Sequence, residues 1–227
     1  MRGFIFDFNG TLFRDTEFHR IAWKQFMSRH GIYISDENFR LKMNGPGNDV
    51  ILRCFFGDGP SDAEIDALSE EKERIYRDIV LADPARKALA PGVVEMFDTL
   101  KARGIPCGVA TASIRANVDF YMNVLGLNRW FDYDHIFYMT GEFPGKPDPA
   151  IYRVAMQRMD LRPEDTVVVE DSLPGMRSAL GAGVGGIIVI GDTVAPETLS
   201  EFPNILARIG NFYGFDRFIV EIGRAHV

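Results

Sequence analysis

Cysteine is scarce in this chain of 227 residues: only Cys54 and Cys107 occur, and neither stands at a metal-ligand spacing. That excludes a zinc module and a disulfide framework, and both thiols read as plain buried or half-buried side chains. Basic charge is scarce as well. Against 32 Asp and Glu stand 25 Lys and Arg, a formal net charge of -7. Duplex binders neutralise phosphates with clustered Lys and Arg, so no nucleic-acid partner is expected. Long apolar runs are missing too: no window reaches a membrane-spanning length, and the N-terminus up to Asp7 lacks a signal peptide's apolar stretch and small-residue cleavage site. The expectation is a cytosolic chain without a membrane partner. Internal repeats and low-complexity tracts are absent from the sequence as well.

What is present suits a globular protein, with 46% hydrophobic and 25% charged residues, enough for one full domain and a smaller one. Phe4 to Phe8 is a short apolar run with Asp7 embedded, and it ends at Asn9-Gly10-Thr11. It reads as a buried strand entering a tight turn. From Glu17 to about Leu81 the pattern is helical: Ile21, Trp23, Phe26 and Met27 share one side, and Gly45-Pro46-Gly47-Asn48 breaks the run. Ser61 and Glu64 make a capping box ahead of Ile65, Leu68, Ile75 and Ile79 at helical spacing.

After Asp83-Pro84 helices and short apolar strands alternate, the signature of a parallel, doubly wound sheet. Helices are expected over Val93 to Ala102, Arg115 to Leu125, Ala150 to Met159 and Gly175 to Leu180. Strands are expected at Cys107 to Ala110, His135 to Phe137, Val167 to Val169 and Gly186 to Ile190. The architecture that follows is an α/β core of residues 1–14 and 85–227, with a helical insertion over 15–84.

Doubly wound sheets bind ligands beyond the carboxyl ends of their strands. There this sequence sets Asp7, Asn9 and Thr11, then Thr111 and Ser113, then Lys146 ahead of a helix, then Glu170 and Asp171. Carboxylates suit a hard cation such as magnesium, while Lys, Thr and backbone N–H groups suit phosphate oxygens. Each residue has a plainer reading beside that one. Asp7 is also a structural hydrogen bonder, Lys146 a solvated loop lysine, and Thr111 and Ser113 N-caps of the helix beginning near Arg115.

Asp7-Phe8-Asn9-Gly10-Thr11-Leu12, Thr111, Gly145-Lys146-Pro147-Asp148-Pro149 and Glu170-Asp171-Ser172 resemble, in order, the four motifs of the haloacid dehalogenase superfamily. The insertion opening at Asp15-Thr16-Glu17-Phe18-His19, and the later Pro91-Gly92-Val93, resemble its helical-cap branch. The resemblance implies a Rossmann-like core and a magnesium-dependent phosphatase of a small phosphorylated metabolite. In that family Asp7 attacks phosphorus and becomes an aspartyl-phosphate. The resemblance gives magnesium to the Asp7 carboxylate, the backbone carbonyl of Asn9, and Asp171, with Glu170 ligating or ordering a bound water. Thr111 donates to a phosphoryl oxygen, and Lys146 balances charge as two anions meet.

One residue departs from the family pattern. Its phosphatases and mutases carry an acid two residues after the nucleophile, where this chain has Asn9, and an amide cannot shuttle a proton. Three other readings stay open. A β-phosphoglucomutase-like transferase needs a second phosphate grip, for which Ser113, Arg115 and Asn117 are offered, with Ile114 where that enzyme has a lysine. A phosphonatase needs a cap lysine, Lys24, Lys42 or Lys72. A weakened phosphometabolite-binding protein follows from Asn9 alone. In the insertion, Asn44, Asn48 and Arg53 either contact substrate or shape the Gly-Pro-Gly turn, and His19 is either a closure sensor or a surface histidine. Oligomeric state has no sequence signal.

Overall fold

The computed structural model of the chain describes residues 3–43 and 47–219. It divides into two compact units, Asp15–Ala88 and, joined from both sides, Met1–Arg14 with Leu89–Val227.

The first unit is helical: α1 (Thr16–Arg29), α2 (Asp36–Lys42), α3 (Asn48–Phe56) and α4 (Asp62–Ala82). Phe18, Ala22, Trp23, Phe26 and Met27 recur at one-turn spacing and form the buried stripe of α1. The capping box forms at the start of α4. Ser61 Oγ accepts from the Glu64 N–H at 3.4 Å, and Glu64 Oε2 accepts from the Ser61 N–H at 2.8 Å. Two charged side chains of α4 are buried among its apolar ones, Lys72 and Glu73. Each is partnered, as a buried charged side chain requires. Lys72 Nζ lies 2.7 Å from Glu73 Oε1 and 2.7 Å from His19 Nδ1, and Asn48 donates to Glu73 Oε1 at 2.7 Å. Burial opposes the Glu73 charge, but Lys72, His19 and Asn48 outweigh it and hold the carboxyl at about 2. The surface reading of His19 gives way here. Its ring is half-buried, lying flat on Tyr76 with centroids 4.0 Å apart.

The second unit is a six-stranded parallel sheet in the order β3-β2-β1-β4-β5-β6. Its strands are β1 (Gly3–Phe6), β2 (Cys107–Ala110), β3 (Ile136–Phe137), β4 (Thr166–Glu170), β5 (Gly186–Ile190) and β6 (Ile205–Ile209). Between them run α5 (Val93–Ala102), α6 (Arg115–Val124), α7 (Ala150–Arg158), α8 (Leu173–Gly181) and α9 (Pro196–Leu199). This is the doubly wound α/β fold the alternation predicts. Side chains alternate across β1, so Phe4 and Phe6 pack with Phe97 of α5, Phe212 and Phe215 on one face. Ile5 joins the other face, with Ile151 and Tyr152 of α7, Val168 and Met176 of α8.

Three expectations change. The first strand stops at Phe6, because the Phe8 carbonyl already accepts from both Leu12 and Phe13 N–H groups in the turn. β6 and α9 carried no clear pattern: β6 lies at the sheet edge and alternates half-buried with exposed positions. Cys54 is exposed on α3, whereas Cys107 is half-buried as expected.

Gly92 joins this unit's front and rear. Its φ of 86° is left-handed, and a Cβ there would lie 2.4 Å from the Tyr213 nitrogen and 2.5 Å from the Phe212 carbonyl carbon. The obstacles are backbone and cannot rotate away. Gly92→Ala is expected to cost about 2 kcal/mol or more, from the left-handed conformation plus the overlap, read as a lower urea midpoint at unchanged slope.

Candidate active site

β1 is the point where the winding reverses, since it pairs with β2 on one side and with β4 on the other. Phe6 stands level with Val109 and Val169. The next residues along the three strands are therefore Asp7, Ala110 and Glu170, side by side at their carboxyl ends. Lys146, from the loop before α7, reaches all three. Its Nζ donates to Asp7 Oδ1 at 2.7 Å, to the Ala110 carbonyl at 3.1 Å and to Glu170 Oε1 at 2.6 Å. The solvated-loop reading of Lys146 is thereby overturned, as only 7% of its side chain is exposed. Burial works against the ammonium, but Asp7 and Glu170 outweigh it and hold the lysine charged well above its ordinary range.

Glu170 is wholly buried and fully occupied. Besides Lys146, it accepts from the Tyr152 hydroxyl at 2.7 Å, the Asp171 and Ser172 N–H groups at 3.1 and 3.2 Å, and Ser172 Oγ at 3.0 Å. Gly175 makes room for it, since a Cβ there would fall 1.8 Å from Glu170 Oε1. Asp7 is different. Its Oδ2 is buried with no hydrogen-bond partner. Burial pushes the carboxyl up to about 7 against the opposing Lys146, with Glu170 adding to the rise. An orphaned buried carboxylate oxygen is costly unless something binds it.

The candidate metal ligands stand close together. Asp7, Glu170 and Asp171 present carboxylate oxygens within 4.8 Å of one another, a donor set that fits a hard divalent cation. Thr11 Oγ1 donates to Asp171 Oδ1 at 3.3 Å. Gly10, at φ 80°, leaves space where a Cβ would lie 2.2 Å from Asp171 Oδ2.

Asn9, Thr111 and Ser113 form a second cluster beside the first. Thr111 Oγ1 and Ser113 Oγ donate to Asn9 Oδ1 at 3.1 and 2.8 Å, and Asn9 Nδ2 donates to the Tyr121 hydroxyl at 2.9 Å. Neither hydroxyl caps α6, whose N-cap is Ile114. Tyr121 and Tyr152 were missed by the sequence reading. The available signal was a tyrosine on a buried helix stripe, whose hydroxyl requires a polar partner.

The remaining candidates among the described residues have partners of their own. Arg115 is exposed, bonded to Asp119 at 2.8 Å and to the Tyr138 hydroxyl at 3.2 Å, with its guanidinium over the Tyr133 ring. In the helical unit, Asn48 also donates to Ser69 at 2.9 Å, and Arg53 bonds the Pro60 carbonyl and Asp62. Lys24 pairs with Asp36. Asn44 and the Lys42 side chain lie outside the described residues.

Residues 1–183 match the model of the haloacid dehalogenase-like hydrolases. The chain belongs to that family. Among curated proteins, Protein CbbY of Rhodobacter capsulatus is 33% identical over 190 residues, 81% of this chain and 83% of that one. Fructose-1-phosphate phosphatase YqaB of Escherichia coli is 28% identical over 191 residues, 82% of this chain and 95% of that one. Among solved structures, a mutant of CbbY from Rhodobacter sphaeroides, in complex with xylulose 1,5-bisphosphate, superposes with a TM-score of 0.78 at 28% identity, covering 93% of this chain and 95% of that one. The doubly wound sheet and the ordered motifs are thus those of this hydrolase family. No helix among the described residues is long and apolar enough to cross a membrane.

Removing Lys146 leaves two buried carboxylates facing one another. Lys146→Met is expected to cost about 3 kcal/mol or more in urea unfolding, the range for breaking one side of a buried pair. Adding Glu170→Gln should return part of that loss, and a double variant no more stable than the single one would show that Glu170 is not part of the problem.

Proposed function

We propose that the chain is a magnesium-dependent phosphatase of small phosphorylated sugars, working through an aspartyl-phosphate on Asp7. The observation that carries this is the Asp7 carboxylate itself: one oxygen is fixed by Lys146, the other is buried without a hydrogen-bond partner, and carboxylate oxygens of Asp7, Glu170 and Asp171 lie within 4.8 Å of one another. Such a group is oriented and ready for an incoming cation or phosphorus. The sugar phosphate is suggested by the phosphatase among the relatives and by the sugar bisphosphate bound in the CbbY structure.

In this reading an Asp7 oxygen forms a bond to phosphorus while the bond to the leaving oxygen breaks, and water then attacks phosphorus to release phosphate and restore the carboxylate. Lys146 keeps Asp7 in place and offsets its charge during the approach. Glu170 acts by fixing Lys146 and the turn after β4, since its oxygens are already occupied. Thr111 exchanges its bond to Asn9 for one to a phosphoryl oxygen. Magnesium, when held by Asp7, Asp171 and the Asn9 carbonyl, supplies positive charge against the phosphoryl oxygens and favours the ionised Asp7. With an amide at position 9, the leaving oxygen departs without a proton from that side chain. Sugar phosphates, whose leaving oxygen is an alkyl one, are therefore turned over more slowly than aryl and acyl phosphates.

The mutase reading is less well served, because Ser113 is turned to Asn9 and Arg115 is tied to Asp119. The phosphonatase reading is also weakened: Lys72 is buried in a pair with Glu73, and Lys24 is paired with Asp36.

Fructose 1-phosphate, xylulose 5-phosphate and p-nitrophenyl phosphate, assayed with magnesium, test the proposal. Turnover should stop with EDTA and return with magnesium. Asp7→Asn should lower kcat by at least about 10³-fold and remove the acid-stable phosphoenzyme, the scale of loss for a covalent nucleophile. Residual turnover near the starting level would sink the assignment, and magnesium-dependent binding with no turnover would favour a binding protein.

A further inference from the structure

The hydrogen bonds around Asn9 have a direction that can be worked out. An amide oxygen only accepts, so the single proton of Ser113 Oγ is committed to Asn9 Oδ1. Ser113 Oγ and the Tyr121 hydroxyl are 3.0 Å apart, and Ser113 has no second proton to give. Tyr121 must therefore be the donor there, and its own oxygen accepts from Asn9 Nδ2 at 2.9 Å. The three bonds run in one sense round a closed circuit, from Asn9 to Tyr121 to Ser113 and back to Asn9. Thr111 adds a fourth bond to Asn9 Oδ1, and its own Oγ1 accepts from the Ser113 N–H at 3.2 Å.

The phenol is not free to move away. Tyr121 is buried, and its ring stacks on Phe8 with centroids 4.0 Å apart, the residue directly before Asn9. Phe8 in turn is held in the turn by the Leu12 and Phe13 N–H groups. Helix α6 and the loop after β1 are thus joined at both the ring and the hydroxyl of one side chain.

We propose that Tyr121 is a positioning residue that ties the side chain at position 9 into the wall of the site and so sets which phosphoesters the chain can cleave. The proposal rests on the phosphatase reading above. Its consequence is that Asn9 and Tyr121 act as a unit. A carboxylate introduced by Asn9→Asp has no proton for Tyr121, so the phenol reverses and donates to it. That carboxylate then accepts from Thr111, Ser113 and Tyr121 together and is held against the wall, where it serves a leaving oxygen poorly. Changing position 9 alone therefore recovers little of the acid–base chemistry. Releasing it requires position 121 to change as well.

The test is a cycle of four proteins: the starting chain, Asn9→Asp, Tyr121→Phe and the double variant, each assayed with glycerol 1-phosphate and with p-nitrophenyl phosphate. Asn9→Asp is expected to raise kcat for glycerol 1-phosphate only a few-fold. Adding Tyr121→Phe should raise it by about tenfold or more again, the factor for one hydrogen bond to a charged group. KM should change little, and kcat for the aryl ester should change far less, because its leaving group needs no proton. A purely structural role for Tyr121 would lower both substrates together. An Asn9→Asp gain of equal size with Tyr or Phe at 121 would overturn the proposal. Urea unfolding of Asn9→Ala, Tyr121→Phe and their combination keeps two failures apart, because coupling between the sites reports the circuit whether or not the protein turns over. Coupling without turnover in any of the four proteins would overturn the phosphatase reading, and with it the chemical role given to Tyr121. Absent coupling would overturn the positioning itself.

Discussion

The ammonium of Lys146 is in contact with three adjacent strand ends. It closes the reversal point of the sheet by bonding Asp7 of the loop after β1, the last carbonyl of β2 and the last side chain of β4. Two buried carboxylates at neighbouring strand ends would repel each other, and the lysine turns that repulsion into a fixed arrangement. The choice of which oxygen it binds also matters. By occupying Asp7 Oδ1 it leaves Oδ2 without a hydrogen bond, while the remaining Glu170 oxygen is absorbed by the backbone of the turn that leads into α8. One carboxylate becomes structural and the other stays available, although the two stand side by side.

Most of the α/β unit was legible in the sequence, because parallel strands buried on both faces are continuous apolar runs and their ends are marked by polar residues. Cys107–Ala110 and Gly186–Ile190 fall where the pattern puts them. β6 did not show itself, since an edge strand alternates exposed and half-buried residues and its apolar signal is diluted. The site was legible in the same degree. Residues at strand ends were found by position, and they are the ones the sheet brings together: Asp7, Thr111, Glu170 and Asp171. Arg115 was found by nearness in sequence, and helix α6 instead turns its guanidinium to Asp119, Tyr133 and Tyr138.

What sequence spacing could not reveal were the two tyrosines. Tyr121 and Tyr152 sit on helix stripes that read as apolar, and a helix stripe says nothing about where a hydroxyl at its edge will point. At Glu170 the physical reason is burial, since water cannot satisfy the carboxylate there, whereas the Asn9 amide is half-buried. Tyr152 satisfies Glu170, and Tyr121 satisfies the Asn9 amide. A similar logic applies in the helical unit, where Asn48 and His19 serve the buried Lys72–Glu73 pair. Asn48, offered by the sequence as a substrate contact or a turn former, there donates to a buried carboxylate.

The position that departs from the family pattern is thus also the most thoroughly bonded side chain of its cluster. Had Asn9 been an isolated replacement for an acid, the surrounding donors would be expected to remain those of a carboxylate, with every hydroxyl pointing at it. Instead the amide gives a proton to the Tyr121 phenol, which passes one on to Ser113, so both the donor and the acceptor of the amide are used. The neighbours thus accommodate the amide in full. In the proposed reaction a side chain bonded in that way is part of the wall of the site, and the chemistry falls to Asp7, Lys146 and the leaving group.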